Sequence, residues 1–163
     1  LNRSSDLSPY EKLYGDNDLV DEKHLARHCI GLSGIGFSDE EIEDLADRIR
    51  EMKKKDTQIC CSIGFLTEKQ ARILKDAGLD RINHNLNSSR SFYPEICTTH
   101  TYDQRVNNIK MLQSLGFEIC SGGIVVMGES KEDIFARSIR NRFRSISYFR
   151  FREQDWQIVI SQS

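Results

Sequence analysis

Four strand-like runs, residues 27–33, 58–64, 81–86 and 117–126, alternate with four helix-like segments, and no other feature restricts the fold so strongly. Residues 39–55 carry Ile42, Leu45, Ala46, Ile49 and Met52 at helical spacing, with Ser38 placed as an N-cap and Glu41 three residues on. Thr67 precedes a second helical stripe of Ala71, Ile73, Leu74 and Ala77, and Gly78 supplies its stop. A third helix runs over residues 102–115 and ends at Gly116, and a fourth starts near Lys131. Short connections between alternating elements predict βα units and a parallel sheet, so the fold class is α/β. Eight such units close a (β/α)8 TIM-type barrel. About four make a partial one, with two unpaired sheet edges to be covered or paired. An open α/β sandwich is the structural alternative, and in both cases ligands gather at the C-terminal ends of the strands.

Composition narrows the class further. At 38% hydrophobic and 29% charged residues with a formal charge of -2, the chain reads as soluble and globular, with nothing that points globally to nucleic acid. No apolar run reaches a membrane span, and the first twenty residues lack a signal-peptide pattern, so a cytoplasmic location is expected. Position 1 is Leu and not Met, which predicts an incomplete chain. Residues 1–140 hold the βα pattern and residues 141–163 depart from it. Six arginines between Arg137 and Arg152 interleave with Phe143, Tyr148, Phe149 and Phe151, and no helical or strand period persists. That tail reads as a poorly ordered end or an altered reading frame. Contact with RNA or DNA through phosphates and base stacking is its functional alternative.

Five cysteines make an odd count at low density, which favours metal or free-thiol roles over a disulfide framework. Cys29, Cys60 and Cys120 each sit in a different strand-like run. Thiolates converging from separate strands suit a soft metal or an iron–sulfur cluster, and unligated they are ordinary small core residues. The expectation to test is that these three sulfurs share one pocket. Cys61 points to the opposite face in a regular strand, and Cys97 falls in a loop.

Other constellations are weaker. His24 and His28, one turn apart if helical, could bind zinc with Cys29, but no paired cysteine motif supports them. Ser33-Gly34-Ile35-Gly36-Phe37-Ser38 follows a strand as a phosphate loop would, yet it lacks the third glycine and reads as a turn plus N-cap. His84 is expected to be a structural strand residue. The charge runs 39–43 and 53–55 suit the two ends of one helix dipole.

Taken together, Cys60-Cys61-Ser62-Ile63-Gly64, Asn83-His84-Asn85-Leu86-Asn87, Phe92-Tyr93-Pro94, Thr98-Thr99-His100-Thr101-Tyr102 and Cys120-Ser121-Gly122-Gly123-Ile124-Val125 closely resemble the biotin synthases, radical S-adenosylmethionine enzymes. The resemblance runs in register from about Cys29 to Ala136, and residues 1–21 resemble the segment just beyond the family's first cysteine motif. It implies a (β/α)8 barrel with two clusters. A 4Fe-4S cluster, held by CxxxCxxC, delivers an electron to S-adenosylmethionine, and the deoxyadenosyl radical removes hydrogens from dethiobiotin. A 2Fe-2S cluster donates the sulfur that completes biotin. Its implied ligands are Cys29, Cys60, Cys120 and an arginine on a later strand. An electron-donor protein and a homodimer are the implied partners.

By the same resemblance Asn85 and Asn87 lie near S-adenosylmethionine and its ribose, and Arg105 pairs with the cofactor carboxylate, a bidentate task suited to a guanidinium. The family usually has aspartate at Asn87, glycine at Val126 and arginine at His100. CxxxCxxC occurs nowhere in the sequence, a helix expected between Lys23 and His24 is missing, and the match stops after Ala136. The expectation is therefore a biotin synthase-type chain that does not make biotin alone. A non-catalytic iron–sulfur binding remnant is the alternative.

Overall fold

Ser38 and Thr67 begin their helices by the same device. The Ser38 hydroxyl accepts from the Glu41 N–H at 3.2 Å while the Glu41 carboxylate accepts from the Ser38 N–H at 2.8 Å. Thr67 and Gln70 repeat this reciprocal capping box. The computed structural model describes residues 27–32, 34–54, 56–124 and 127–133, and the backbone of 148–152 and 155–159. In chain order the elements are β1 (His28–Gly31), α1 (Asp39–Met52), β2 (Ile59–Ser62), α2 (Glu68–Asp76), β3 (Arg81–Asn83), α3 (Tyr93–Ile96), α4 (Tyr102–Ser114), β4 (Glu118–Cys120), β5 (Gly123–Ile124), β6 (Tyr148–Arg152) and β7 (Asp155–Val159).

Two glycines stop two helices as expected. Gly78 has φ 98° and Gly116 φ 78°, left-handed values that a side chain disfavours. After α2, the Gly78 N–H bonds the Lys75 carbonyl and the Leu79 N–H the Leu74 carbonyl. After α4, Gly116 and Phe117 bond Gln113 and Leu112 in the same way. Both are Schellman closures, which satisfy carbonyls the helix end would otherwise leave free. Helix α1 ends at Met52, short of Lys55, because Lys53 is its C-cap and its ammonium turns back to the Thr57 carbonyl and the Asp80 carboxylate.

The first sheet has the order β1-β2-β3-β4, with β1, β2 and β3 parallel, so the expected α/β architecture of parallel βα units is present as an open sheet. The chain divides into two compact units, Leu1–Asn83 with Met111–Glu118, and His84–Lys110 with Ile119–Ser163. In the first, Ile30, Ile59, Cys61 and Ile82 are buried from the strands, and α1 and α2 bury Ile42, Leu45, Ala46, Ile49, Met52, Ala71 and Leu74. Each buried isoleucine, leucine or methionine among them contributes about 1.5–3 kcal/mol of transfer free energy. At the C-terminal end of β2, Gly64 lets the preceding loop close in. A Cβ there would lie 2.4 Å from the Ile35 carbonyl oxygen, which accepts the Phe65 N–H at 2.7 Å.

In the second unit the fourth strand-like run differs from expectation. It is broken into β4 and β5, because side chains take over the ladder between them. The Gly122 N–H donates to Asn85 Oδ1 at 2.7 Å, and the Leu86 N–H to Ser121 Oγ at 3.3 Å. Beyond the break β5 belongs to a second sheet, β5-β6-β7, with β6 parallel to β5 and antiparallel to β7. Thus the stretch read as lacking strand period forms two paired strands. The loop expected over 87–101 contains the short helix α3, with Pro94 at its start. His24, Val125, Val126, Ala136, residues 1–21 and residues 141–147 lie outside the described residues. So does the helix expected near Lys131 after Asp133.

Candidate metal and cofactor sites

Cys29 is paired with Cys60 across β1 and β2, and Cys60 with Arg81 across β2 and β3. In a parallel sheet, residues in register point to the same side, so Cys29, Cys60 and Arg81 form one row on one face. The row beyond it is Gly31, Ser62 and Asn83. On the opposite face the corresponding row is Ile30, Cys61 and Ile82, all buried. Cys29 is exposed and Cys60 buried.

The Cys29 thiol is lowered to about 6, first by its hydrogen bond with Cys60 and then, against some burial, by the positive charges of Arg27 and Arg81. Arg27 donates to Gln58 Oε1 at 2.8 Å and lies 3.8 Å from Glu118, whose carboxylate also pairs with Arg81. Cys61 shows the reverse. Burial, reinforced by the charge of Cys29, pushes its thiol up to about 12.

A thiol pair with one member anionic near neutral pH, flanked by two guanidinium groups, fits ligation of a soft, electron-rich metal centre. Two sulfurs are brought together here. Among the described residues no group of three or more His, Cys, Asp or Glu side chains is placed to hold a metal ion. Cys120, buried at the end of β4, belongs to the second unit. Its place beside the pair rests on resemblance. The zinc alternative loses its helical premise, because His28 sits buried in a strand.

The expected cofactor residues all lie in the second unit. Burial alternates from Ile82 to Ser88, with Asn83, Asn85 and Asn87 partly exposed and Ile82, His84 and Leu86 buried, which is the face separation the sequence predicts. Asn85 uses its carbonyl on Gly122. Asn87 has φ 63°, a left-handed conformation that asparagine tolerates better than most residues. Its N–H and carbonyl bond Gly122 and Ile124, an isolated parallel bridge that carries the ladder past the break. Arg105 on α4 donates through Nε to the Tyr93 hydroxyl at 2.7 Å and to His100 Nε2 at 2.8 Å.

The sequence reading missed Arg27 and Arg81 as electrostatic partners of Cys29. For Arg27 a signal existed, since it precedes Cys29 by two residues and shares its face in an extended chain. It also missed the Tyr93–His100–Arg105 cluster, which no spacing rule reveals.

The family description "Radical SAM superfamily" matches residues 17–138, and the chain belongs to that superfamily of enzymes. Membership implies S-adenosylmethionine and iron–sulfur chemistry as the family's general equipment. Within it the chain is similar to biotin synthases, with 46% identity over 114 residues to that of Rhodopirellula baltica, covering 69% of this chain and 32% of the relative. The biotin synthase of Sulfurihydrogenibium is 48% identical over 109 residues, covering 66% and 33%. That of Acaryochloris marina is 43% identical over 129 residues, covering 75% and 37%. The chain thus spans about a third of the length of the curated relatives it matches.

Among solved structures, methylornithine synthase (PylB) superimposes with a TM-score of 0.72 at 15% identity, covering 86% of this chain and 43% of that one. The FeFe-hydrogenase maturase HydG from Carboxydothermus hydrogenoformans gives 0.63 at 14% identity, covering 86% and 36%. At such identities these likenesses establish the fold alone.

Proposed function

We propose that this chain is part of a biotin synthase-type sulfur-insertion enzyme acting on dethiobiotin, in which Cys29, Cys60 and Cys120 ligate a 2Fe-2S cluster. The observation that carries the reading is the Cys29–Cys60 register pair, whose exposed member is lowered to about 6. When bound, the cluster and S-adenosylmethionine supply the sulfur and the radical that the reaction uses.

The protein's part is to hold and orient. Cys29 presents a thiolate without needing strong base, and Arg27 and Arg81 offset the negative charge of thiolate ligands. Asn85, fixed against Gly122, and Asn87, fixed in its bridge, set the strand end where the resemblance places the cofactor ribose. As asparagine, residue 87 offers the ribose hydroxyls an acceptor without charge. Arg105 is anchored through Nε to Tyr93 and His100, and its guanidinium is the group the resemblance sets against the cofactor carboxylate. An electron-donor protein, a homodimeric assembly and a 4Fe-4S cluster belong to the proposal for the whole enzyme. Among the described residues no helix is long and apolar enough to cross a membrane.

Anaerobic reconstitution with iron and sulfide tests the reading. A 2Fe-2S absorption spectrum is expected for the chain and should be lost in Cys60→Ala. A colourless parent protein overturns cluster ligation by these residues. Because the chain contains no CxxxCxxC, dethiobiotin turnover by it alone is not expected, and cluster binding without turnover also describes the non-catalytic remnant. Turnover restored by a longer chain that includes the motif separates the two.

A further inference from the structure

The remaining cysteine belongs neither to the sheet core nor to the proposed ligand set. Cys97 follows α3 as its C-cap in an extended conformation, and its sulfur lies 3.5 Å from Thr99 Oγ1. Both ring nitrogens of His100 are 3.6 Å away. Backbone N–H groups of His100 and Thr99 and the Tyr93 hydroxyl also reach it.

The proton positions are set by one donor. A guanidinium can only donate, so the bond from Arg105 Nε makes His100 Nε2 an acceptor. Burial and the Arg105 charge both lower the His100 pKa, which keeps the ring neutral and its single proton on Nδ1. Nδ1 stands 2.9 Å from Thr99 Oγ1. The Thr99 hydroxyl, accepting from Nδ1, is left with its own hydrogen to give to Cys97. Burial raises the Cys97 pKa, but the hydroxyl and amide donors outweigh it, so the thiol lies below its ordinary value.

Cys97 also lines a cavity. Its volume is about 370 Å³, and Arg90, Cys97, Thr99, Thr101, Tyr102 and Gln104 are among the residues that line it. That size falls in the range of roughly 300–1,000 Å³ found for small-molecule sites. Most of the lining surface is apolar, with the Arg90–Asp103 ion pair, the threonine side chains and Gln104 as its polar part.

We propose that Cys97 is a thiol–disulfide exchange site, with the cavity seating one half of a small-molecule disulfide as a mixed disulfide on its sulfur. The Cys97 thiolate attacks one sulfur of the incoming disulfide. The original S–S bond breaks as the new one forms, and the second half leaves as a thiolate that takes a proton from water. Two electrons move within the sulfurs, so no further oxidant or reductant enters. The occupied cavity adjoins the His100–Arg105 contact, which links the modification to the cofactor arm of the proposed enzyme without depending on it.

The test exposes the full chain to oxidised glutathione at pH 7 and follows each cysteine by peptide mass spectrometry. Cys97 is expected to gain the mixed disulfide faster than an unstructured cysteine peptide does. Cys61, fully buried, reports unfolding and should stay unmodified in the native protein. Thr99→Val should slow the reaction at Cys97, since losing the hydroxyl donor lowers the thiolate fraction and the accompanying rise in nucleophilicity offsets this only in part. Thr99→Ser should restore it, and Cys29 should be unaffected in both. A Cys97 rate no greater than the free peptide's overturns the proposal whatever the variants do. So does a Thr99→Val rate equal to the parent's with Cys61 still protected.

Discussion

Cys60 and Cys61 are adjacent in sequence and identical in type, yet they belong to opposite faces of one sheet and to opposite chemistries. Cys60 hydrogen-bonds an exposed neighbour whose thiol is lowered to about 6, in a row that ends in a guanidinium. Cys61 sits between Ile30 and Ile82, fully buried, with its thiol pushed up to about 12. The backbone supplies both environments from one strand, because consecutive side chains alternate sides. What distinguishes a candidate ligand from a core residue is therefore its parity along the strand and the charge of its row.

The most direct way to break the comparison is to spoil the packed face alone. Ile82→Ala removes a fully buried side chain and should lower stability by about 2–5 kcal/mol, read from the midpoint of urea unfolding. Below that midpoint the Cys29 thiol should titrate as before, since its hydrogen bond and its arginines lie on the other face. Loss of the low Cys29 pKa in folded Ile82→Ala would show that the two faces are not independent.

A smaller effect is expected at the end of β2. Gly64→Ala places a methyl group against the Ile35 backbone, which cannot move as a flexible side chain could. Overpacking of this kind costs about 1–3 kcal/mol. The Cys29–Cys60 pair lies further back along the strands, so its alkylation profile should hold while stability falls.

The two thiols also predict opposite slopes of stability with pH. Cys29 has an ordinary value of 9.0 when unfolded and about 6 when folded, so between those values the unfolded chain binds more protons. Stability from this group is full above about 9, rises with pH through the window from about 6, and is lost as pH falls through it. Cys61 is raised from 9.0 to about 12, so the folded chain holds the extra proton and stability falls as pH climbs past 9. Cys29→Ser should flatten the lower slope and ease the upper one slightly, because its charge reinforces the raised Cys61 thiol, whereas Cys61→Ala should flatten the upper slope alone, in unfolding curves measured across pH 5.5 to 10.

The parts of this arrangement that the sequence reveals are those fixed by local rules. Ser38 with Glu41 starts α1, Gly78 and Gly116 stop α2 and α4, and alternation separates Cys60 from Cys61 and Asn85 from His84. Register is different, because pairing Cys29 with Cys60 and Cys60 with Arg81 requires knowing how far each strand slides past the next. The break between β4 and β5 was hidden for a related reason. It comes from Asn85 and Ser121 reaching across to backbone N–H groups more than thirty residues away in sequence. Strands β6 and β7 do alternate, as Phe149-Arg150-Phe151-Arg152 and Asp155-Trp156-Gln157-Ile158, but each alternation is only four residues long and follows an arginine-rich run that has no such period.

The smallest expected effect isolates the electrostatic part of the comparison. Arg27 lowers the Cys29 thiol by charge, after the hydrogen bond from Cys60, and both groups lie toward solvent, where the interaction is screened. Arg27→Gln removes the charge, and with it the 3.8 Å pairing with Glu118, and leaves a neutral amide. The alkylation midpoint of Cys29 should move upward slightly, and the difference between variant and parent should shrink in molar salt. Cys60→Ala should move it further, because it deletes the leading contribution. If Arg27→Gln produced the larger shift, the thiol of Cys29 would be governed by surface charge, and the register pair would lose its standing as the basis of the ligand assignment.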